Sequence, residues 1–441
     1  MLNYLPNILF FIVLVAGIGY FTRNIRKVIR NIKLGREVGE VTNKKERWGN
    51  VLRIALGQSK MVVRPVSGIM HIIVYVGFVI INIEVLEIII DGIFGTHRIF
   101  AFLGPVYDWL IASFEILAFL VLVAVVVFWI RRNVQRVKRF LNPEMKGWPK
   151  NDANYILYFE VVLMLLFLTM NAADHQLQHL GAEHYTEAGM FPVSNHLLPL
   201  FSEMSVESLI LVERITWWFH ILGILIFLNY LYFSKHLHIL LAFPNVFFGK
   251  IRPKGQFNNL ESVTNEVKLM MDPSADPFAA PPEGAEAPAK FGASDVTDLS
   301  RVQLLNAYTC TECGRCTSEC PANQTGKKLS PRKIMMDTRD RLEEIGKNIN
   351  KNGEFKEDGK QLLDDYITRE ELWACTTCNA CVEACPVSID PLSIIMDMRQ
   401  YLVMEQSAAP TELNVAMTNI ENNGAPWPYN QMDRLNWKNE A

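Results

Sequence analysis

Cysteine is missing from residues 1–309 and again from 386–441, so all eight cysteines of this 441-residue chain fall in one short stretch. Other absences narrow the function classes. There is no glycine-rich dinucleotide loop, no P-loop, and no nucleophile with a base beside it. A basic excess is lacking as well. The 43 Lys and Arg against 46 Asp and Glu leave a net charge of −3, which gives nucleic acid no electrostatic footprint. No strongly acidic tail is present either. Hydrophobic residues are plentiful, at 50 %, beside a charged fraction of 20 %. They are unevenly spread: long apolar runs fill residues 1–250, and the remainder is polar, charged and rich in turn residues.

Five apolar segments, near 5–22, 66–90, 106–130, 154–172 and 209–241, meet the length of about 17–25 residues needed to span a bilayer as a helix. The first lacks a basic flank and a small-residue cleavage pattern, so it is expected to be a retained helix and not a signal peptide. Lys and Arg set the orientation. Residues 23–64 hold twelve of them and 131–150 hold seven; of the other two connections, one holds Arg98 and none lies between 172 and 206. Positive charge stays inside. The N-terminus is therefore expected outside, and the chain beyond the fifth segment in the cytoplasm.

The cysteines repeat one pattern. Cys310, Cys313, Cys316 and Cys320 precede Pro321; Cys375, Cys378, Cys381 and Cys385 precede Pro386. Cys-x2-Cys-x2-Cys is too tight for ordinary disulfide geometry, and structural zinc usually takes its cysteines as separated pairs. Three closely spaced cysteines followed by Cys-Pro fit a [4Fe–4S] cubane, which favours reducing surroundings. In two-cluster ferredoxins the fourth cysteine of each run serves the other cluster. One set is thus expected to be Cys310, Cys313, Cys316 and Cys385, and the other Cys375, Cys378, Cys381 and Cys320. So small a domain would draw folding energy from its clusters.

Histidines mark the membrane half. His71 lies near the inner end of the second segment, and His220, His236 and His238 lie in the fifth. An ionisable side chain in a span suggests function, against the plainer reading of a histidine bonded to a neighbouring helix. If the fifth segment is one helix, His220 and His238 share a face and stand about 27 Å apart, nearly the hydrocarbon thickness of about 30 Å. His236 is rotated by about 160° from that face. His71 and His238, at the same inner level, are expected to ligate one b-type haem. His220, expected at the outer level, has His175 as its nearest partner, which leaves a second haem open. Glu84, Glu87, Glu115 and Glu160 also lie at membrane depth, for quinone protonation, interhelical bonding or burial against a partner. Arg64, seven residues before His71, suits a haem propionate or a positive-inside role.

Residues 251–290 are rich in Ala, Pro and Glu and are expected to form an extended linker. Between the cysteine runs, Pro331–Leu342 has helical texture, Arg369–Trp373 starts another helix, and Pro391 to about Met404 forms a third. The fold class is thus an all-α membrane domain over 1–250, a five-helix bundle, joined to a mainly α-helical, ferredoxin-like domain over 291–441 with two [4Fe–4S] clusters.

These residues carry a resemblance. Arg64-Pro-Val-Ser-Gly-Ile-Met-His71, Trp217-Trp-Phe-His220 and Ser234-Lys-His-Leu-His238 resemble the cytochrome b of the nitrate reductase gamma subunit family. Phe291-Gly-Ala-Ser, Cys310-Thr-Glu-Cys-Gly-Arg-Cys and Trp373-Ala-Cys375 resemble heterodisulfide reductase-like iron–sulfur oxidoreductases. Their fusion is similar to membrane-bound oxidoreductases that pass electrons from electron-transfer flavoprotein to menaquinone. The chain departs from these families in two ways: helix two has a single histidine, and no Cys-Cys-Gly segment lies within the 441 residues. The resemblance implies a subunit of the bacterial cytoplasmic membrane, with haem b held by His71, His220 and His238. It also implies a separate Cys-Cys-Gly iron–sulfur subunit, electron-transfer flavoprotein or another cytoplasmic donor, and a membrane quinone as partners. The alternative is a haem-free membrane anchor that recruits a soluble iron–sulfur complex.

Overall fold

Proline opens four of the long apolar helices, where its missing N–H has no helical partner to lose. In this computed structural model, which describes residues 4–439 except 254, 258, 260 and 275–289, these are α1 (Leu5–Lys33), α2 (Pro65–Phe94), α3 (Pro105–Asn133) and α4 (Trp148–His179). The fifth, α5 (Val206–Tyr230), is capped by Ser205, whose hydroxyl accepts from the Ser208 N–H at 3.3 Å. All five are long and apolar enough to cross a membrane. Each packs on the next from α2 to α5, and α1 closes the ring against α2 and α5. Phe10, Ile111, Phe114, Phe167 and Ile221 fill its centre. Ile12, Phe119, Val162 and Phe219 point outward, fully at home in lipid.

Two helices end eleven residues away from the sequence-based expectation. α1 runs eleven residues past the anticipated end at residue 22, roughly 16 Å further. Its extension buries Val28 and Asn31 against the cysteine domain, and Asn31 Nδ2 donates to the Tyr308 hydroxyl at 2.9 Å. The fifth helix ends at Tyr230 and does not reach 241. Asp152 causes the break: its carboxylate accepts from Tyr230 Oη (2.6 Å), Ser234 Oγ (2.7 Å) and the Lys235 N–H (3.1 Å). Ser234 becomes extended, and a separate helix, α6 (His238–Phe248), follows.

The cysteine domain is built on α7 (Arg301–Thr309), α8 (Pro331–Asn352) and α9 (Pro391–Met404). Its core, with Leu304, Ile334, Leu342 and Met398, continues without interruption into Val28, Ile156, Phe227 and Leu237 of the membrane part. Part of the expected linker, Glu261–Met271, is helical, and residues 275–289 lie outside the described residues. No β-strand occurs among the described residues.

Candidate functional site

The two cysteine runs share one backbone path. α7 ends at Thr309 and Cys310 turns extended. The residues two and four beyond the first cysteine are left-handed in both runs: Glu312 and Gly314 in the first, Thr377 and Asn379 in the second. Short helical turns follow, Arg315–Ser318 and Ala380–Ala384, and Cys320 and Cys385 are extended again before their prolines. A β-branched Thr377 at φ 56° is strained, which marks a conformation fixed by something besides local preference. Gly314 has a steric reason too, since a Cβ there would lie 2.5 Å from Arg332 Nη1.

The runs interleave. Cys310, Cys313, Cys316 and Cys385 line one cavity, which Cys381 also borders. Cys320 is instead the electrostatic neighbour of Cys375 and Cys381, and Cys378 that of Cys375. Backbone N–H groups point at sulfur: Thr377 to Cys375 Sγ at 3.4 Å and Ile389 to Cys385 Sγ at 3.3 Å. Burial pushes the Cys310 thiol up to about 12 and the Cys385 thiol up to about 11. Thiolates there need a cationic partner to exist at neutral pH, and four ferric or ferrous ions provide one. No group of three or more Cys, His, Asp or Glu among the described residues closes on a single ion.

The first cysteine set lies against the membrane helices. Arg315 is buried and donates to the carbonyls of Lys60 and Met61 at 3.0 and 3.3 Å. Lys60 Nζ returns a bond to the Cys385 carbonyl at 3.3 Å. This 60–62 loop crosses α2 at Gly68, where a Cβ would meet Met61 O at 2.7 Å. One turn further along α2 stands His71. On the other side, buried Lys235 pairs with Glu312 in the Cys310–Cys313 loop. Burial alone would raise the Glu312 carboxyl, but Arg339 and Lys235 hold it below its usual range. The carbonyl of the same Lys235 meets His238 Nδ1 at 3.1 Å. Arg64 reaches neither histidine: its guanidinium binds Ser318 Oγ and Glu319 at 2.7 and 2.8 Å.

The histidines sort differently than the helical wheel suggested. His71 and His238 come together, with ring centroids 6.4 Å apart and ring planes at 43°, and His71 Nδ1 is buried without a partner. His236 joins them, 5.5 Å from His238. His220 is not on the helix of His238, because the chain breaks at Ser234. It lies midway along α5, with Nδ1 3.1 Å from the carbonyl of Leu163, itself midway along α4. His175 is twelve residues beyond Leu163 and packs on His179 and Phe191, at 4.3 and 4.7 Å, so the structure does not bring it to His220. Two of the membrane acids are satisfied. Glu87 accepts from Phe100 N and Tyr107 Oη, and Glu115 from Asn171, Val193 and Ser194.

Residues 309–389 are a 4Fe-4S dicluster domain. The chain as a whole is 30 % identical to the probable iron-sulfur-binding oxidoreductase FadF of Bacillus subtilis, over 98 % of this chain and 61 % of that protein. It is 27 % identical to the EtfAB:quinone oxidoreductase of Syntrophomonas wolfei, over 88 % of this chain and 53 % of that one. A probable membrane-anchored ferredoxin of Chromohalobacter salexigens is 31 % identical over 34 % of this chain and 25 % of its own length. The chain thus spans between half and two thirds of the first two relatives. No solved structure matches it. It is an iron–sulfur membrane protein.

Sequence reasoning passed over Lys60, Gly68, Asp152, Lys235, Glu312 and Arg315. For Glu312 and Arg315 a signal existed, since both stand inside the first cysteine run. Asp152 acts through partners some eighty positions away, and Gly68 through a contact with the Met61 carbonyl that only the path of the 60–62 loop creates.

Proposed function

We propose that the chain is a membrane-bound electron-transfer subunit of an oxidoreductase, linking a cytoplasmic redox partner to membrane quinone. Two [4Fe–4S] clusters on the eight cysteines, and one haem b on His71 and His238, would supply its one-electron sites. The observation that carries this reading is the meeting of the first cysteine set with the His71–His238 pair across the 60–62 loop and Lys235. Two imidazoles on one metal, each at about 2 Å, put their centroids about 6 Å apart, which the observed separation fits. Arg315 and Lys60 tie the cysteine loops to α2; Lys235 ties them to α6 and holds the His238 ring by its Nδ1. In this reading His220 is a helix-packing residue bonded to Leu163, and haem b is single. The Lys and Arg of 23–64 and 131–150 orient the cysteine domain toward the cytoplasm of a bacterial inner membrane. The relative named EtfAB:quinone oxidoreductase supports an electron-transfer flavoprotein and a quinone as the two ends.

Reduced-minus-oxidised spectra of the purified protein test it. A b-type band is expected, absent in His71→Ala and retained in His220→Gln. A wild-type protein with intact clusters and no such band would favour the haem-free anchor.

A further inference from the structure

At the end of the bundle away from the cysteines, α1, α2, α4 and α5 part around a cavity of about 600 Å³. Most of its polar wall is already satisfied. Arg98 donates to Asp174 at 2.7 Å, to Tyr107 at 3.1 Å and to Asn171 at 3.3 Å. His97 uses both ring nitrogens, one on Asp174 at 2.9 Å and one on the Thr186 N–H at 3.2 Å. Arg214 is paired with Glu213. Glu84 is different: it is 3 % exposed, lines the cavity, and its Oε2 has no partner. Opposite stands an aromatic wall, Phe10 and Trp217 with centroids 5.3 Å apart and Trp218 at 5.3 Å from Trp217.

We infer that this cavity is the binding site for the headgroup of a membrane quinone, with Glu84 as the group that bonds its carbonyl oxygen. The inference rests on the electron-transfer reading above. Charge excludes a permanent anion as the occupant, because Arg98 and Arg214 are both neutralised by carboxylates. A haem held by two histidines is excluded, since the lining has only His97 and His184 and His97 has no free nitrogen. A flat, neutral, dicarbonyl ring fits both the aromatic wall and the open carboxyl buried beside it, whereas Glu183, the other unpaired acid of the lining, is exposed at the mouth. Access from lipid is available beside α1, which contributes Phe10 to the cavity and is the least buried of the five spans. Glu84 lies thirteen residues, about 20 Å, along α2 from His71. It lies ten residues, about 15 Å, below the outer end of that helix.

Reduction there takes two electrons, delivered singly from the cytoplasmic reductant through this protein, and two protons. Each carbonyl oxygen becomes a hydroxyl. Glu84 hands one proton to the carbonyl oxygen it bonds and is reloaded from outer water past His184, which is exposed at the cavity mouth, and the other carbonyl oxygen takes its proton from water entering by the same mouth. Protons are therefore taken from the side opposite the clusters.

The test uses the full-length protein in detergent and menadione as probe, with binding read by tryptophan quenching and reoxidation of the reduced protein read optically. Glu84→Leu, which leaves the carbonyl oxygen no donor, should weaken menadione binding about tenfold, the worth of one good hydrogen bond. Ile210→Trp, which fills the cavity, should abolish binding, and both variants should keep their full iron and haem content. Wild-type binding and reoxidation with neither variant altered would overturn the site and leave the electron-transfer reading standing. A wild-type protein that neither binds nor is reoxidised by menadione would overturn that reading and the site with it. Lower haem content in Ile210→Trp would assign the cavity to a haem and overturn the site.

Discussion

Arg332 has no solvent-exposed side chain at all, and Glu144 is its only carboxylate partner among the described residues. The pair joins the cysteine domain to the connection between α3 and α4. Arg332 Nη2 lies 2.7 Å from Glu144 Oε1, Nη1 donates to the Arg139 carbonyl at 2.7 Å, and Ser330 Oγ adds a third bond to Glu144 at 2.7 Å. Glu144→Ala leaves a buried guanidinium without its counter-charge, a change that costs about 3–5 kcal/mol. Glu319→Ala breaks the bond to Arg64 at an interface where the two side chains are 51 % and 29 % exposed, which costs about 0–1 kcal/mol. Thermal release of the clusters, followed by their visible absorbance, should come well earlier in Glu144→Ala and almost unchanged in Glu319→Ala. A Glu144→Ala, Arg332→Met double variant should recover much of the loss, because no buried charge remains. The pH dependence has a definite sign. Burial alone would raise the Glu144 carboxyl, but its bonds from Arg332 and Ser330 outweigh this and hold it below its usual range. Its contribution is therefore complete above the ordinary glutamate value of about 4.3 and fades as pH falls through the lower folded value. Wild type and Glu144→Gln should differ at pH 7 and converge only once the pH has fallen through that lowered folded value. Equal losses from Glu144→Ala and Glu319→Ala at pH 7 would refute the argument.

Three other outcomes are expected. Cys385→Ser should alter the paramagnetic signal of the cluster held by Cys310, Cys313 and Cys316, and Cys320→Ser that of the other; each serine affecting its own run would exclude cross-ligation. Gly68→Val forces the Met61 carbonyl and Val62 Cα away from contacts of 2.7 and 2.9 Å, and should lower haem b content. Gly19→Ala, with nothing within 4 Å of the new methyl, should leave it unchanged. Asp152→Ala removes the acceptor that stops α5, so His238 should lose its place beside His71 and haem b content should fall, with iron content retained.

Local patterns carried much of the architecture. Apolar runs of spanning length located all five helices, and proline or serine at their starts agrees with the observed ends. The helices from Pro331, Arg369 and Pro391 follow from caps and periodicity within a few residues of each start. Two boundaries failed for one physical reason. α1 continues because its polar turns are buried by a partner far along the chain. α5 stops because Asp152, some eighty residues earlier, takes the hydrogen bonds a helix would have used.

That second boundary also governed the histidines. Counting eighteen residues at 100° each assumes an unbroken helix, and the kink at Ser234 cancels the assumption for His220 and His238. The nearness of His71 to His238 depends on the turn that starts α6, which no periodicity encodes. Glu84 differs from Glu87 and Glu115 only in which donors surround it, so the three were indistinguishable in sequence.

By itself, the sequence determined the chemistry of the iron–sulfur domain and the presence of spans. Ligand spacing and apolar length are one-dimensional quantities, each set by a few adjacent residues. Only the tertiary structure decided how the two halves meet. Arg315 on the Lys60 and Met61 carbonyls, Lys235 between Glu312 and His238, and the buried open carboxyl of Glu84 depend on neighbours as many as 255 positions apart. Hydrogen bonds across such distances leave no local pattern to read, yet they set which cysteines lie beside His71 and His238.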